Sequence, residues 1–122
     1  MHIERHDMGP RFSEMTVVHI GDAKLIYIAG QVAEHTSLDV EGQTREVLGV
    51  IDRLLARAGA TRKDIVRAHI FLASVGDYPV MNSVWDDWVD PGHTPARVTT
   101  GAKLIYPGYK VEIEVTAAVQ AQ

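Results

Sequence analysis

Three charged side chains near the C-terminus, Arg97, Glu112 and Glu114, are of types that bind and transform small acids. A guanidinium holds a carboxylate through two parallel hydrogen bonds, and a glutamate can position a water or take a proton from it. The alternation of side chains along two neighbouring strands predicts that all three share one face of a sheet. That face is either exposed to water or half of a binding site.

The strands that must position these residues are predicted to form a hairpin closed by the turn "YPGY" at 106–109. Proline at the second position and glycine at the third fit a type II turn, in which glycine supplies the positive φ. In a tight hairpin Lys103 lies opposite Glu112, and Arg97 lies opposite Ala118. The other face is mostly apolar and is predicted to pack against helices; it comprises Val98, Thr100, Ala102, Leu104, Val111, Ile113, Val115 and Ala117.

The polar face of this hairpin has two interpretations. In the first, Lys103 and Glu112 form a cross-strand ion pair worth about 0.2–1 kcal/mol, and Arg97 lies in water. In the second, the face meets a ligand or another protein surface, because it also carries small residues. These are Thr99, Gly101, Thr116 and Ala118. Arg97 and Glu112 are then on the order of 20 Å apart along the hairpin, so a site that uses both needs either two chains or a bulge that alters the register. We predict a site shared between chains.

The remaining segments predict two helices and three further strands. Strands are predicted over 16–20, 24–29 and 66–73, the first two joined by a turn at Gly21 and Asp22. One helix is predicted from its cap Asp39 to Gly59, and a second after Asp77 with Pro79 in its first turn. The third strand is predicted to bury Val66, Ala68, Ile70 and Leu72. The second helix is predicted to bury Val80, Met81, Val84, Trp85 and Trp88.

Composition predicts a cytoplasmic protein of one domain, residues 1–122. The chain is 46% hydrophobic and 23% charged, as in ordinary globular domains. It has no cysteine, and therefore neither a disulfide nor a thiolate nucleophile. No apolar run is long enough for a membrane span, and the net charge of −4 argues against a nucleic-acid partner. The six histidines are not spaced as ligands on one element, so no metal site is predicted.

Several segments together resemble the RidA (YjgF-type) family of enamine/imine deaminases over nearly the whole chain. They are "YIAGQVA" at 27–33, "DVEGQTREVLGVIDRLLARAGA" at 39–60, "DIVRAHIFLASVGDYPVMNSVWDDWV" at 64–89, "TPAR" at 94–97 and "VEIEV" at 111–115. The resemblance implies an α+β, chorismate-mutase-like fold of the bacterial type, a mixed sheet with two helices packed on one face. It also implies a homotrimer with clefts between subunits.

The resemblance further implies a reaction, the hydrolysis of reactive 2-imino or 2-enamino acids to 2-keto acids and ammonia without a cofactor. The carboxylate-binding arginine of the family falls on Arg97, and the glutamate that positions water falls on Glu112. The other substrate-binding positions implied by the resemblance are Gly30, Phe12, Thr99 and Asn82.

The sequence departs from the family pattern around this implied site. Phe12 stands where the family has a tyrosine, Ala29 where many members have a serine, and Thr99 where many have a cysteine. A second function therefore stays open: a non-catalytic small-carboxylate binding or regulatory protein on the same trimeric scaffold. Ribonuclease activity, which is attributed to some members, is disfavoured by the acidic charge balance.

Overall fold

The computed structural model describes residues 1–120, which form a mixed six-stranded sheet with two helices. The strands are β1 (His2–Met8), β2 (Ser13–Ile20), β3 (Ala23–Val32), β4 (Ile65–Leu72), β5 (Ala96–Gly101) and β6 (Val111–Gln120). The helices are α1 (Val40–Arg57) and α2 (Tyr78–Trp88), and short 3-10 turns lie at Arg62–Asp64 and Val75–Asp77. Within residues 1–120, no helix combines the length and the apolar character needed to cross a membrane.

The strand order across the sheet is β1-β2-β3-β6-β4-β5. Among the strands of residues 1–120, β4 and β5 run parallel and each of the other neighbouring pairs is antiparallel. Helix α2 connects β4 to β5, as a parallel pair requires a crossover connection. Strand β6 is inserted between β3 and β4, and β5 lies at the edge.

The core lies between the sheet and the helices. From β6 it receives Val111, Ile113, Val115 and Ala117, all buried. The helix α1 contributes a buried stripe that comprises Val40, Val47, Leu48, Ile51, Leu54 and Leu55. Packing of these two apolar surfaces confirms the predicted α+β class with both helices on one face of a mixed sheet.

Local signals in the sequence set the ends of α1 as predicted. The Asp39 side chain accepts a hydrogen bond from the Gly42 amide at 2.9 Å, which satisfies a free N–H of the first turn. Gly59 follows the helix with φ +78°, a conformation that costs other residues energy. The tight turn at Gly21, with φ +58°, likewise joins β2 to β3 as predicted.

The predicted hairpin between the last two strands is wrong. β5 pairs with β4 alone, and residues 102–110 carry the chain across the end of β4 to the centre of the sheet. The turn conformation itself is as predicted, since Gly108 has φ +96°. A central position suits β6, whose alternating apolar residues are buried, whereas the short polar β5 suits an edge.

The predicted faces of three other segments need correction. Val98 and Thr100 are exposed, because β5 turns Arg97 and Thr99 toward the helices instead. Val66 is 49% exposed because an irregularity in the pairing of β4 with β6 lets Ile65 take the buried position. On α2, Val80 is also exposed. The strand β1 was not predicted, because its sequence is largely polar.

Candidate functional site

Arg97 is held by three side chains of α2. Its Nη2 donates hydrogen bonds to Asn82 Oδ1 at 2.9 Å and to the Tyr78 hydroxyl at 3.2 Å. The guanidinium carbon also lies 5.3 Å from the centre of the Trp85 ring and 5.8 Å from that of Tyr78, within cation–π range. Both hydrogen bonds use Nη2, so within residues 1–120 the nitrogens Nε and Nη1 keep donors for a ligand.

A groove of about 370 Å³ opens beside this guanidinium. Its lining residues are Leu72, Val75, Tyr78, Arg97, Thr99 and Gly101. The Thr99 hydroxyl is buried, and no group in residues 1–120 accepts or donates a hydrogen bond to it. Since buried polar groups are usually satisfied, this hydroxyl is available to a bound molecule. A methyl group on Gly101 would overlap Val75, so glycine there keeps the two sides of the groove close.

Tyr78 and Val75 also belong to this groove, although neither was among the predicted site residues. Tyr78 supplies both a hydroxyl and a ring to Arg97. A hydrogen bond with Asn82 and the positive charge of Arg97 lower the pKa of Tyr78. A signal was available: Tyr78 lies four residues before Asn82, which puts both on one face of a helix.

Glu112 occupies a different surface, the sheet face that is not covered by helices. It lies on β6 between Val32 of β3 and Phe71 of β4. A methyl group on Gly30 would overlap its carboxylate, so the carboxylate lies directly against the backbone of β3 at an irregularity in the β3–β6 pairing. The predicted ion pair with Lys103 is wrong, because Lys103 lies outside β5 and β5 does not pair with β6.

The environment of Glu112 favours the protonated form more than water does. Burial raises the pKa of Glu112, and the negative charge of Glu114 on the same strand raises it further. No donor in residues 1–120 forms a hydrogen bond to the Glu112 carboxylate that would counter this effect. A carboxylate with a raised pKa is a stronger base than an ordinary one, which suits it to take a proton from water.

The predicted site residues therefore fall into separate groups within one chain. Arg97, Thr99 and Asn82 lie together on the helix side, at the β5 edge of the sheet. Glu112 and Gly30 lie together on the open face. Phe12 is 63% exposed in the turn between β1 and β2, roughly 19 Å across the sheet from β5 at about 4.8 Å per strand. The prediction that Arg97, Glu112 and Glu114 share a face is wrong, because β5 has the opposite orientation.

Comparison with known proteins places the chain in a family. The model of the family described as Endoribonuclease L-PSP matches residues 8–119. The chain belongs to the L-PSP family. A RutC family protein of Haemophilus influenzae is 44% identical to this chain over 118 residues. The match covers 96% of this chain and 98% of that protein.

Solved structures of L-PSP proteins share the fold. A member of the YjgF protein family from Neisseria meningitidis superposes with a TM-score of 0.87 at 38% identity, covering 100% of this chain and 97% of that one. The RidA (YjgF-type) resemblance is thereby confirmed. A protein of Acinetobacter baylyi named 3-aminoacrylate deaminase RutC is 35% identical over 103 residues, 84% of this chain and 68% of that protein.

Proposed function

We propose that this L-PSP protein hydrolyses small 2-imino and 2-enamino acids to 2-keto acids and ammonia, in a cleft shared by two chains. The observation that carries the proposal is that Arg97 is held in place without an acidic partner within residues 1–120. None of the ion pairs within residues 1–120 includes it, although it is held in place beside a groove. A fixed guanidinium without an acidic partner is a ready site for a ligand carboxylate. The Acinetobacter relative named as a deaminase supports the same reaction class.

In this proposal Arg97 orients the substrate by its carboxylate. The α2 contacts restrict the guanidinium, so less conformational freedom is lost when the ligand binds. The free hydroxyl of Thr99 offers one further hydrogen bond in the same groove. Val75 and Leu72 supply an apolar wall for a short aliphatic side chain.

Glu112 acts on the water in this proposal. A water held by the carboxylate attacks the C=N carbon of the imine, and Glu112 takes its proton as the C–O bond forms. Glu112 gives this proton to the nitrogen, which yields an amino alcohol. As the amino alcohol collapses, Glu112 takes the hydroxyl proton and passes it to the amino group, so the C=O bond forms, the C–N bond breaks and ammonia leaves. The raised pKa of Glu112 fits both halves of this transfer, because the group can accept a proton and return it.

Two chains are required because Arg97 and Glu112 lie on opposite faces of one sheet. A homotrimer would bring the Arg97 edge of one chain against the Glu112 face of the next, with a closed symmetry that repeats the site. The open sheet face supports such an assembly. It exposes apolar side chains in numbers unusual for a wet surface, among them Ile3, Tyr27, Val66 and Val98.

A binding or regulatory protein is the second candidate. The observation that favours it is that the Arg97 groove is complete without Glu112, so a small carboxylate could be held without being changed. Phe12 also lacks the hydroxyl of the tyrosine that the family has there, which favours binding without catalysis. Ribonuclease activity, which the family description names, has weaker support because the net charge is −4.

Hydrolysis can be tested by trapping the imine. An amino-acid oxidase generates a 2-imino acid, and semicarbazide converts the surviving imine to an absorbing semicarbazone. The wild-type protein should reduce the rate of semicarbazone formation and release ammonia. Arg97→Ala should abolish this effect, whereas Arg53→Ala, an exposed arginine on α1, should retain it.

The outcome decides between the two candidates. If wild type and Arg97→Ala both behave as buffer does, hydrolysis is excluded for that imine. Calorimetry with the matching 2-keto acid then tests binding alone, and a heat signal present in wild type and lost in Arg97→Ala would establish the binding protein. Incubation with single-stranded RNA, analysed on a gel, tests the ribonuclease separately.

A further inference from the structure

Two histidines and a glutamate converge on the strand pair β1–β2, at the edge of the sheet away from Arg97. His2 lies directly opposite His19 in the antiparallel register, and Glu4 lies two residues farther along β1 on the same face. One ligand atom from each of the three side chains can be chosen so that all lie within 4.8 Å of one another. Sequence spacing does not indicate this cluster, because the two histidines lie on different strands.

The spacing is close to that of a metal site. Four ligands at about 2.0–2.1 Å from a tetrahedral Zn²⁺ are about 3.3 Å from each other. The His19 Nε2 atom already lies 2.7 Å from Glu4 Oε1, and the His2 and His19 ring centres are 5.3 Å apart. His2 is exposed, so rotation of its side chain can close the remaining gap without moving the backbone.

His6 contacts the second oxygen of the Glu4 carboxylate. Its Nε2 lies 3.2 Å from Glu4 Oε2, the oxygen that does not contact His19. A histidine that holds a ligating carboxylate in position is the kind of outer partner that metal sites commonly use.

The cluster differs from two other histidine–carboxylate contacts within residues 1–120. His35 contacts Glu46 at 2.9 Å and His93 contacts Asp90 at 2.8 Å. Within residues 1–120, neither contact belongs to a group of three potential ligands. These two pairs therefore provide matched controls for a histidine that contacts a carboxylate but lacks a second imidazole.

We propose that His2, Glu4 and His19 bind one divalent transition-metal ion per chain. Two imidazoles and a carboxylate favour ions of the Zn²⁺ class over Mg²⁺ and Ca²⁺, which prefer oxygen ligands. Three protein ligands leave a coordination position for water. Because the ligands come from both strands, the ion fastens the edge strand β1 to β2, and binding adds to the stability of the fold.

The test uses the full chain without an affinity tag, stripped of metal with a chelator and then titrated with ZnCl₂ by calorimetry. Wild type should bind one Zn²⁺ per chain at neutral pH. His6→Ala, which removes an outer partner, should weaken binding by about ten- to a hundredfold, and His2→Ala and His19→Ala should each weaken it more. His35→Ala and His93→Ala should bind as wild type does.

Co²⁺ provides a second readout, since its visible absorption reports the coordination geometry directly. The proposal is overturned if wild type binds no Zn²⁺, or if His2→Ala binds it as tightly as wild type. His2 is exposed and its loss leaves the core intact, so a folding defect does not obscure that result. None of the three ligands belongs to the Arg97 groove or contacts Glu112, so either outcome leaves the proposed hydrolysis unaffected.

Discussion

Arg97 and Glu112 lie on opposite faces of the same sheet, on strands that are separated by β4. Along β4, Arg97 is level with Ala68 and Glu112 with Phe71. The two are therefore about 10 Å apart along the strands and about 10 Å apart across them. The sheet itself lies between the guanidinium and the carboxylate, so no rotation of side chains brings both to one small acid within a chain.

The first prediction follows from this separation. Arg97→Ala and Glu112→Ala should each be inactive alone, but refolding an equal mixture of the two should restore activity. If each site takes Arg97 from one chain and Glu112 from the next, random assembly leaves about one site in four intact. The rate of imine hydrolysis, measured by the semicarbazone assay, should then be about a quarter of the wild-type rate. A mixture no more active than the separate variants would contradict the shared site.

The second prediction concerns Gly30. A methyl group there would overlap the Glu112 carboxylate, which is the flexible end of a side chain, so the carboxylate should shift while the fold remains. A displacement of about 1 Å at a reacting group can cost about a hundredfold in rate. Gly30→Ala should therefore lower kcat/KM by about that factor with little change in Tm.

Gly49 offers the matched control for this substitution. It lies in α1, and a methyl group there would have only the Arg53 side chain near it, at 3.7 Å. Gly49→Ala should leave the rate unchanged and stabilise the helix by about 0.5–1 kcal/mol. Wild-type activity in Gly30→Ala would mean that the carboxylate position beside Gly30 does not matter for the reaction.

The third prediction is a pH dependence. The pKa of Glu112 is raised above the ordinary value of about 4.3, first by burial and then by Glu114. Protonated Glu112 cannot accept a proton from water, so kcat/KM should fall as pH decreases through this raised pKa. Glu114→Gln removes the neighbouring negative charge, lowers the pKa of Glu112 and should move the acidic limb of the profile to lower pH.

Burial of Glu112 remains in the Glu114→Gln variant, so the limb should move only part of the way toward the ordinary value. Rates are measured between pH 4 and 8 with the imine supplied at each pH and corrected for its spontaneous hydrolysis. Glu41→Gln, an exposed glutamate on α1, serves as the control for the change in net charge. An unchanged profile in Glu114→Gln would show that the charge of Glu114 does not raise the pKa of the group that limits the rate.

Local patterns in the sequence predicted much of the fold. The β2–β3 hairpin and the ends of α1 follow from Gly21, Asp39 and Gly59, whose conformations depend on neighbours along the chain. The buried face of β6 follows from its strict apolar alternation. Such features depend on interactions between residues that are close together in the chain, so they can be predicted from a single sequence.

The strand order and the orientation of Arg97 depend on pairing between distant segments. In "ARVTTG", both Val98 and Thr99 suit a buried face, so alternation alone does not choose between them. The strand–helix–strand sequence over 65–101 was the available signal, since such a unit favours a parallel pair over a hairpin. The contacts of Arg97 with α2 can be predicted only once the parallel pairing of β4 with β5 is known.

The fourth prediction tests how Arg97 is held. Tyr78→Phe removes the hydroxyl that accepts a hydrogen bond from Nη2 but retains the ring against the guanidinium. Binding of a 2-keto acid should weaken by about three- to tenfold, as expected for one hydrogen bond. Asn82→Ala removes the shorter bond, at 2.9 Å, and should weaken binding more. Calorimetry measures both, and equal affinity in all three proteins would show that Arg97 needs neither contact.

The fifth prediction concerns Gln43, a fully buried side chain of α1 that ties the segment 102–110 to the helix. Its Nε2 donates to the carbonyl oxygens of Gly108 at 2.9 Å and Leu38 at 3.1 Å, and its Oε1 accepts from the Lys110 amide at 2.9 Å. Gln43→Ala would remove these hydrogen bonds together, each worth about 0.5–1.5 kcal/mol, and would leave a cavity in place of a fully buried side chain.

Urea unfolding of Gln43→Ala should therefore show a loss of about 2–4 kcal/mol in the free energy of unfolding. Arg45→Ala, an exposed residue of the same helix whose partner is Glu41, should lose less than about 0.5 kcal/mol. Because residues 102–110 connect the strand of Arg97 to that of Glu112, amide exchange in this segment should also accelerate in Gln43→Ala. Unchanged exchange there, together with wild-type stability, would show that the segment is held by its own packing and not by Gln43.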